Sequence, residues 1–218
     1  MNTFTLPQSC VLRPPSPINQ GAGSRGVPFA TANAMTMAMR RYSPAVYFDA
    51  DSANEFHGII KAYDGMPTDD GTFFQNGPIY AVQYGLLDNN GVRRKLRSYE
   101  DVAHNDDGTA IRRVLAGERK PVYLYFRDYW YSWGQPTFNG IPTGVLDMSL
   151  YQVTTALSHA VIVYGYEKMT GIRPGTVKNE TYVWIQNEYG PTWAVNSRCC
   201  LPLDIFVPLV GWAMKFTV

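Results

Sequence analysis

Charge is scarce in this chain of 218 residues: Asp, Glu, Lys and Arg together make up 17% of it, against roughly 25% in an average soluble domain. The formal net charge is +1, so no global field draws the chain to nucleic acid or to an anionic membrane surface. It has no run of about 18 apolar residues, so no helical membrane span is expected. Cysteine is rare too. An odd number of thiols argues against a disulfide framework, and the three Cys and three His lack the spacing of zinc ligands. The opening Met1-Asn2-Thr3-Phe4-Thr5-Leu6-Pro7 has neither a basic segment nor a sustained apolar core, so no secretory signal is expected there and synthesis in the cytoplasm is.

Aromatic residues, by contrast, are plentiful. They reach 14%, with 15 Tyr and 5 Trp, and Arg outnumbers Lys. Few charges, many aromatics and Arg over Lys is the composition of buried interfaces, though a tyrosine-rich domain with no partner fits it equally well.

Along the chain, prolines at 7, 14, 15 and 17 make residues 1–20 an extended arm. From Val27 to Arg41 the sequence is rich in Ala and Met and uncharged until Arg40. Pro28 suits a first helical turn, and a helix apolar on nearly all sides belongs in the middle of a core. A second short helix is expected to start at Ser43–Phe48. Two Asp-Asp-Gly-Thr segments, Asp69–Thr72 and Asp106–Thr109, precede helix-like stretches at Asn76–Tyr84 and Ile111–Ala116, and so read as turns and caps. Further oxygen ligands at calcium-loop spacing are missing. Asp88-Asn89-Asn90-Gly91 is a turn before the basic run Arg93–Arg97, which reads as a solvated edge. After Pro121 come strand candidates at Val122–Phe126, Ala160–Tyr166, Tyr182–Gln186 and Val207–Val218. Helices early and strands late predict an α+β protein.

Several motifs carry a resemblance. Asn19-Gln20-Gly21, a glycine-containing loop and then Phe29-Ala30 resemble the active-site entry of papain-like cysteine peptidases. Leu6-Pro7-Gln8-Ser9 with Leu12-Arg13 is similar to the start of their mature domain, apart from Cys10 and Val11. Ser43-Pro44 through Tyr47, and Asp107-Gly108 through Pro121, resemble further segments. Ser158-His159-Ala160-Val161 through Gly165-Tyr166 resembles the catalytic-histidine strand. Trp184-Ile185-Gln186-Asn187-Glu188-Tyr189-Gly190-Pro191-Thr192-Trp193 resembles the asparagine motif. In order and nearly full length, these imply a papain-like two-lobe fold. The expectation is a mainly helical lobe over about 20–115 with a buried central helix, and a mainly antiparallel β lobe from about 1–19 and 116–218.

The resemblance also assigns roles. It places the nucleophilic cysteine at Gly26, which has no side chain. A thiolate there would be stabilised by the helix N-terminus and an imidazolium. His159 would be that imidazole and the proton donor to the leaving amine. Asn187 would orient the ring, and Gln20 would donate an amide hydrogen bond to the oxyanion. Tyr189 stands where the family has a shielding tryptophan. Taken without the motif, His159 is a core histidine, and Gln20 and Asn187 are structural amides. Ser24, Cys10 and Cys199-Cys200 are poorly placed to replace the thiol. The Gly21–Gly26 segment lacks a following Gly-Lys-Ser/Thr, so no phosphate loop, cofactor or metal is expected.

The expectation is therefore a chain that is no enzyme: a papain-like pseudo-peptidase, with Gln20, Gly26, His159 and Asn187 as a vestigial site. It would serve as a structural or protein-binding module beside other proteins of an assembly, such as a bacteriophage virion, with no nucleic acid and no membrane as partner. A peptide segment held in the inherited cleft is a further expectation. The alternative is an active hydrolase that uses His159 with an unrecognised nucleophile.

Overall fold

A computed structural model describes residues 4–66, 68–104, 106–127, 137–138, 141–142, 159–170 and 179–218. The N-terminal arm is irregular except for β1 (Cys10–Val11). Three helices follow: α1 (Gly26–Met39), α2 (Ala50–Tyr63) and α3 (Asn76–Gln83). The hairpin β2 (Leu86–Leu87) and β3 (Arg93–Arg94) leads into β4 (Ser98–Asp101), α4 (Thr109–Arg113) with a π-helical turn at Val114–Glu118, and β5 (Val122–Phe126). After β6 (Thr137–Phe138) and β7 (Ile141–Pro142) come the long strands β8 (His159–Thr170) and β9 (Asn179–Gln186). The chain closes with β10 (Arg198–Pro202), α5 (Leu203–Leu209) and β11 (Val210–Thr217).

The main sheet is antiparallel throughout, in the order β10-β9-β8-β5-β11-β4, with β1 added against β8. Helices in one lobe and an antiparallel sheet in the other make this the expected two-lobe α+β architecture.

Helix α1 is the centre of the core. Every residue from Gly26 to Ala38 is buried, and the helix packs on α2, α3 and β8. Its hydroxyls bond within the helix: Thr31 Oγ1 donates to Val27 O at 2.7 Å and Thr36 Oγ1 to Ala32 O at 2.9 Å. Low charge made this helix readable in the sequence, and burial on all sides is its consequence.

Two expected elements are displaced. Ser43–Phe48 forms a turn and an extended stretch instead of a helix start. Phe48 N donates to Thr36 Oγ1 at 3.0 Å, so its amide serves α1. The helix begins at Ala50, where Asp49 and Ser52 form a reciprocal capping box. At the other end, Val207–Leu209 finish α5, and the strand starts only at Val210. Pro202 precedes this helix and Asp204 lies in its first turn, where a carboxylate complements the helix dipole.

The two Asp-Asp-Gly-Thr segments also diverge. Asp106 accepts from Gly108 N and Ala110 N at the start of α4, which is cap chemistry. Asp69 makes only a local turn, accepting from Gly71 N, while Asp70 pairs with Arg25 at 3.1 Å. The turn at Asp88 forms as expected, with Asp88 Oδ1 accepting from Asn90 N and Val92 N. In the basic run, Arg93 and Arg94 are tied to Glu55 and Asp88. All three cysteines are free and buried, and among the described residues no helix is long and apolar enough to cross a membrane.

Candidate active site

A cleft of about 770 Å³ lies between the segment Gln20–Val27, the loop Asp69–Phe74 and the start of β8. Backbone pairing assembles its floor. Asn19 bridges Tyr189, Gln20 N donates to Glu188 O at 2.8 Å, and Gly190 N donates to Ile18 O at 3.1 Å. These bonds bring Gln20 beside the loop that follows β9. The register of β5 on β8 pairs Phe126 with His159, the first residue of β8, and so places the imidazole at the end of an interior strand, facing the start of α1.

Four positions 20, 26, 159 and 187 therefore meet. His159 Nε2 lies 2.7 Å from Asn187 Oδ1, and Glu188 N donates to that same oxygen at 2.8 Å. A backbone N–H can only donate, so the Asn187 oxygen is fixed there and the imidazole proton sits on Nε2. Nδ1 is then the acceptor, and it faces Gly26. A Cβ built on Gly26 would lie 3.3 Å from His159 Nδ1 and 3.5 Å from Gln20 Oε1. Ser158, the other polar residue of the histidine motif, lies outside the described residues.

Gln20 differs from the role its motif implies. Its Nε2 donates to Gly23 O at 2.9 Å, and a carbonyl can only accept, so the amide cannot flip without loss. Oε1 is turned toward residue 26 as a buried acceptor with no hydrogen-bond partner among the described residues. An oxyanion would meet an oxygen there, not an N–H.

Asn187 is held from behind by a turn with unusual backbone. Ala194, Asn196 and Ser197 all have positive φ, at 50°, 60° and 62°. Through that turn Asn187 N donates to Ser197 O at 2.9 Å, and Ser197 Oγ donates to Asn187 O at 2.7 Å. Tyr189 lies over the imidazole with ring centroids 5.4 Å apart, and Trp193 meets Tyr189 edge-on at 5.7 Å.

Sequence reading missed two members of this cluster. Glu188 is fully buried, with Oε2 3.8 Å from His159 Nε2. Its Oε1 accepts from Asn33 Nδ2 at 3.4 Å. Asn33 lies seven residues beyond Gly26, hence on the same face of α1. A lone amide in an apolar helix was the signal available. Burial lowers the His159 pKa to about 4, only partly offset by the bond to Asn187. Burial likewise raises the Glu188 carboxyl well above the ordinary range, against smaller opposing effects of the Asn33 bond and the backbone. The imidazole is thus neutral at pH 7, and burial favours the uncharged form of Glu188 as well, which lowers the cost of burying the pair.

The thiols do not approach this site. Cys199 and Cys200 lie on β10, and burial pushes the first well up and the second to about 12, so neither supplies thiolate at neutral pH. Cys10 is on β1, with Sγ donating to Leu115 O. Among the described residues no cluster of His, Cys, Asp and Glu is arranged to hold a metal.

No family model matches the chain, and no curated protein matches it. Solved structures do. Xylellain, a cysteine protease from Xylella fastidiosa, superposes with a TM-score of 0.73 at 17% identity, over 98% of this chain and 87% of that one. The bromelain protease from Ananas comosus, in complex with the E64 inhibitor, gives 0.70 at 15% identity, over 97% and 99%. The Carica candamarcensis cysteine protease CMS1MS2, in complex with E-64, gives 0.68 at 16%, over 97% and 98%. These likenesses correct the expectation of a chain that is no enzyme. These three structures are of proteases of that kind, and at such identities they carry the fold without carrying inactivity. The fold, at least, is plain: this chain has the architecture of the papain-like cysteine proteases.

Proposed function

We propose that this chain is a protein-binding module that takes an extended polypeptide segment in the cleft beside Gly26 and His159. The observation that carries the reading is the cleft itself: about 770 Å³, open between two lobes and lined by both polar groups and the aromatics Phe73, Phe74, Tyr125 and Tyr189. Such a mixture suits a peptide backbone with alternating side chains. The partner belongs to a larger assembly, of which a bacteriophage particle is one setting. The charge-poor, aromatic-rich composition and the exposed Tyr63 and Phe73 support that part of the reading. The test is titration of unstructured peptides against the full chain. Binding weakened at least ten-fold by Phe73→Asp and unchanged by the distant Tyr42→Ser is expected. No binding, or binding indifferent to Phe73→Asp, overturns the reading.

A second reading is hydrolysis of the bound segment. It is favoured by an imidazole whose Nε2 is held by Asn187 and whose Nδ1 faces residue 26. Residue 26 is read here as a glycine standing in place of the family's cysteine, so the nucleophile comes from elsewhere. Turnover abolished by His159→Ala supports this reading. Turnover that survives that change removes His159 from it.

A further inference from the structure

Three features converge on the space that a side chain at residue 26 would occupy. His159 Nδ1 lies 3.3 Å from the Cβ position and is the acceptor nitrogen of the ring. Gln20 Oε1 lies 3.5 Å from the same point, buried and without a hydrogen-bond partner among the described residues. The third is the first turn of α1, which no side chain caps and which contains no acidic residue. Gly26 and Val27 of that turn line the cleft, at the helix end where backbone N–H groups lack intrahelical partners and the dipole is positive. Two acceptors and an uncapped helix start describe a site for a small molecule that donates two hydrogen bonds and carries a lone pair. Water has that pattern, and an oxyanion does not.

We infer that His159 activates a water held over Gly26 and that this water, with no protein side chain as nucleophile, attacks a peptide carbonyl bound in the cleft. The inference rests on the hydrolytic reading above. One water hydrogen bonds to Nδ1, the other to Gln20 Oε1. As the oxygen lone pair forms a bond to the carbonyl carbon, Nδ1 takes one proton and the C=O π electrons move onto the carbonyl oxygen. That oxygen faces the N–H groups at the start of α1. Collapse re-forms the C=O bond and breaks C–N, and the imidazolium gives its proton to the departing amine. The products are a carboxylic acid and an amine, with one water consumed and no acyl-enzyme formed.

In this scheme Gln20 orients the nucleophile through its oxygen, which gives a reason for the amide orientation imposed by Gly23 O. Asn187 keeps the ring proton on Nε2, so that Nδ1 stays a base. Burial holds the imidazole neutral down to about pH 4. The base is therefore always available near neutrality but weak, and turnover is slow. A methyl group at residue 26 would take the water's place.

The test uses the full chain and a tryptic digest of a reduced, carboxymethylated protein as the peptide source, with binding read by co-elution and cleavage by mass spectrometry. Cleavage is expected to survive iodoacetamide, to show no covalent adduct on the protein after acid quench, and to give no hydroxamate when hydroxylamine is present. Gly26→Ala and Gln20→Leu are each expected to lower the rate at least ten-fold. They lie on different segments, and unchanged thermal melting of either shows that it folds. An acyl adduct, a hydroxamate product, loss of activity with iodoacetamide, or full activity in both variants overturns the inference. Peptides that are bound but not cut also overturn it and leave the polypeptide-binding reading standing. Peptides neither bound nor cut bring down that reading as well.

Discussion

Glu188 Oε2 sits 3.8 Å from His159 Nε2, with both side chains buried and burial favouring the neutral form of each. Their effects on stability oppose each other. The His159 pKa falls on folding from 6.5 to about 4, so between those values the unfolded chain binds the extra proton and stability drops as pH falls. The Glu188 pKa rises well above 4.5, so above 4.5 the folded chain binds the extra proton and stability drops as pH rises. Just above pH 4.5 the two proton counts therefore work against each other. Glu188→Gln removes one side of the balance. The variant should lose stability on acidification from pH 6.5 with a slope of up to about 1.4 kcal/mol per pH unit relative to the parent. Urea unfolding at several pH values checks this, and parallel curves for the two proteins would sink it.

Asn187 serves two donors through one oxygen, the His159 ring and the Glu188 backbone. Asn187→Ala leaves both without that acceptor in a buried setting, at an expected cost of about 1–3 kcal/mol. The clearer signature is local. Nitrogen NMR of the imidazole should report a proton on Nε2 in the parent and a mixture of tautomers in the variant. A ring still protonated only at Nε2 would mean that another group fixes it.

The loop Gly21–Ser24 is clamped across the cleft. Arg25 Nε lies 3.1 Å from Asp70 Oδ1, and Arg25 Nη1 donates to Asn54 Oδ1. Both ends of the ion pair are more than a third exposed, so Arg25→Ala should cost global stability no more than about 1 kcal/mol. Local opening should change more. Hydrogen exchange at residues 21–24 is expected to quicken in Arg25→Ala. It should also quicken in Gly23→Ala, whose added Cβ would collide with the Asp70 carboxylate. Unchanged exchange in both variants would show that the clamp does not hold this loop.

How much of this was legible depended on how local each cause is. Helix α1 was readable because an uncharged, Ala- and Met-rich run needs only its own residues to declare itself. Strand β5 matched Val122–Phe126 to the residue for the same reason. The start of α2 was misplaced although the Asp49-x-x-Ser52 signal is local, because Ser43-Pro44 offered a competing start. Gln20, Gly26, His159 and Asn187 were picked out through motif order. Glu188 was not, since its burial depends on Asn33, 155 residues away in the chain. The orientation of the Gln20 amide was equally out of reach. It is set by one backbone carbonyl in a loop whose path the sequence does not specify.

Strand β1 depends on a glycine in a neighbouring strand. Cys10 and Val11 pair with Tyr166 and Gly165 of β8, where β8 also bulges between Val163 and Gly165 in its pairing with β9. A Cβ at Gly165 would come within 2.9 Å of both Cys10 O and Val11 Cα. These are backbone atoms and cannot swing aside as a side-chain tip could. Gly165→Ala must therefore push β1 off the sheet edge, with an expected loss of about 1–3 kcal/mol. Displacement also breaks the contacts that shelter the thiol of Cys10, which lies between Leu115 O and Arg119. In the native parent all three cysteines are buried and should react slowly with a disulfide reagent. In Gly165→Ala one thiol should become fast and, by peptide mapping, should be Cys10, while Cys199 and Cys200 on β10 stay protected. If all three quicken together, the whole sheet has loosened and β1 is not a separable edge.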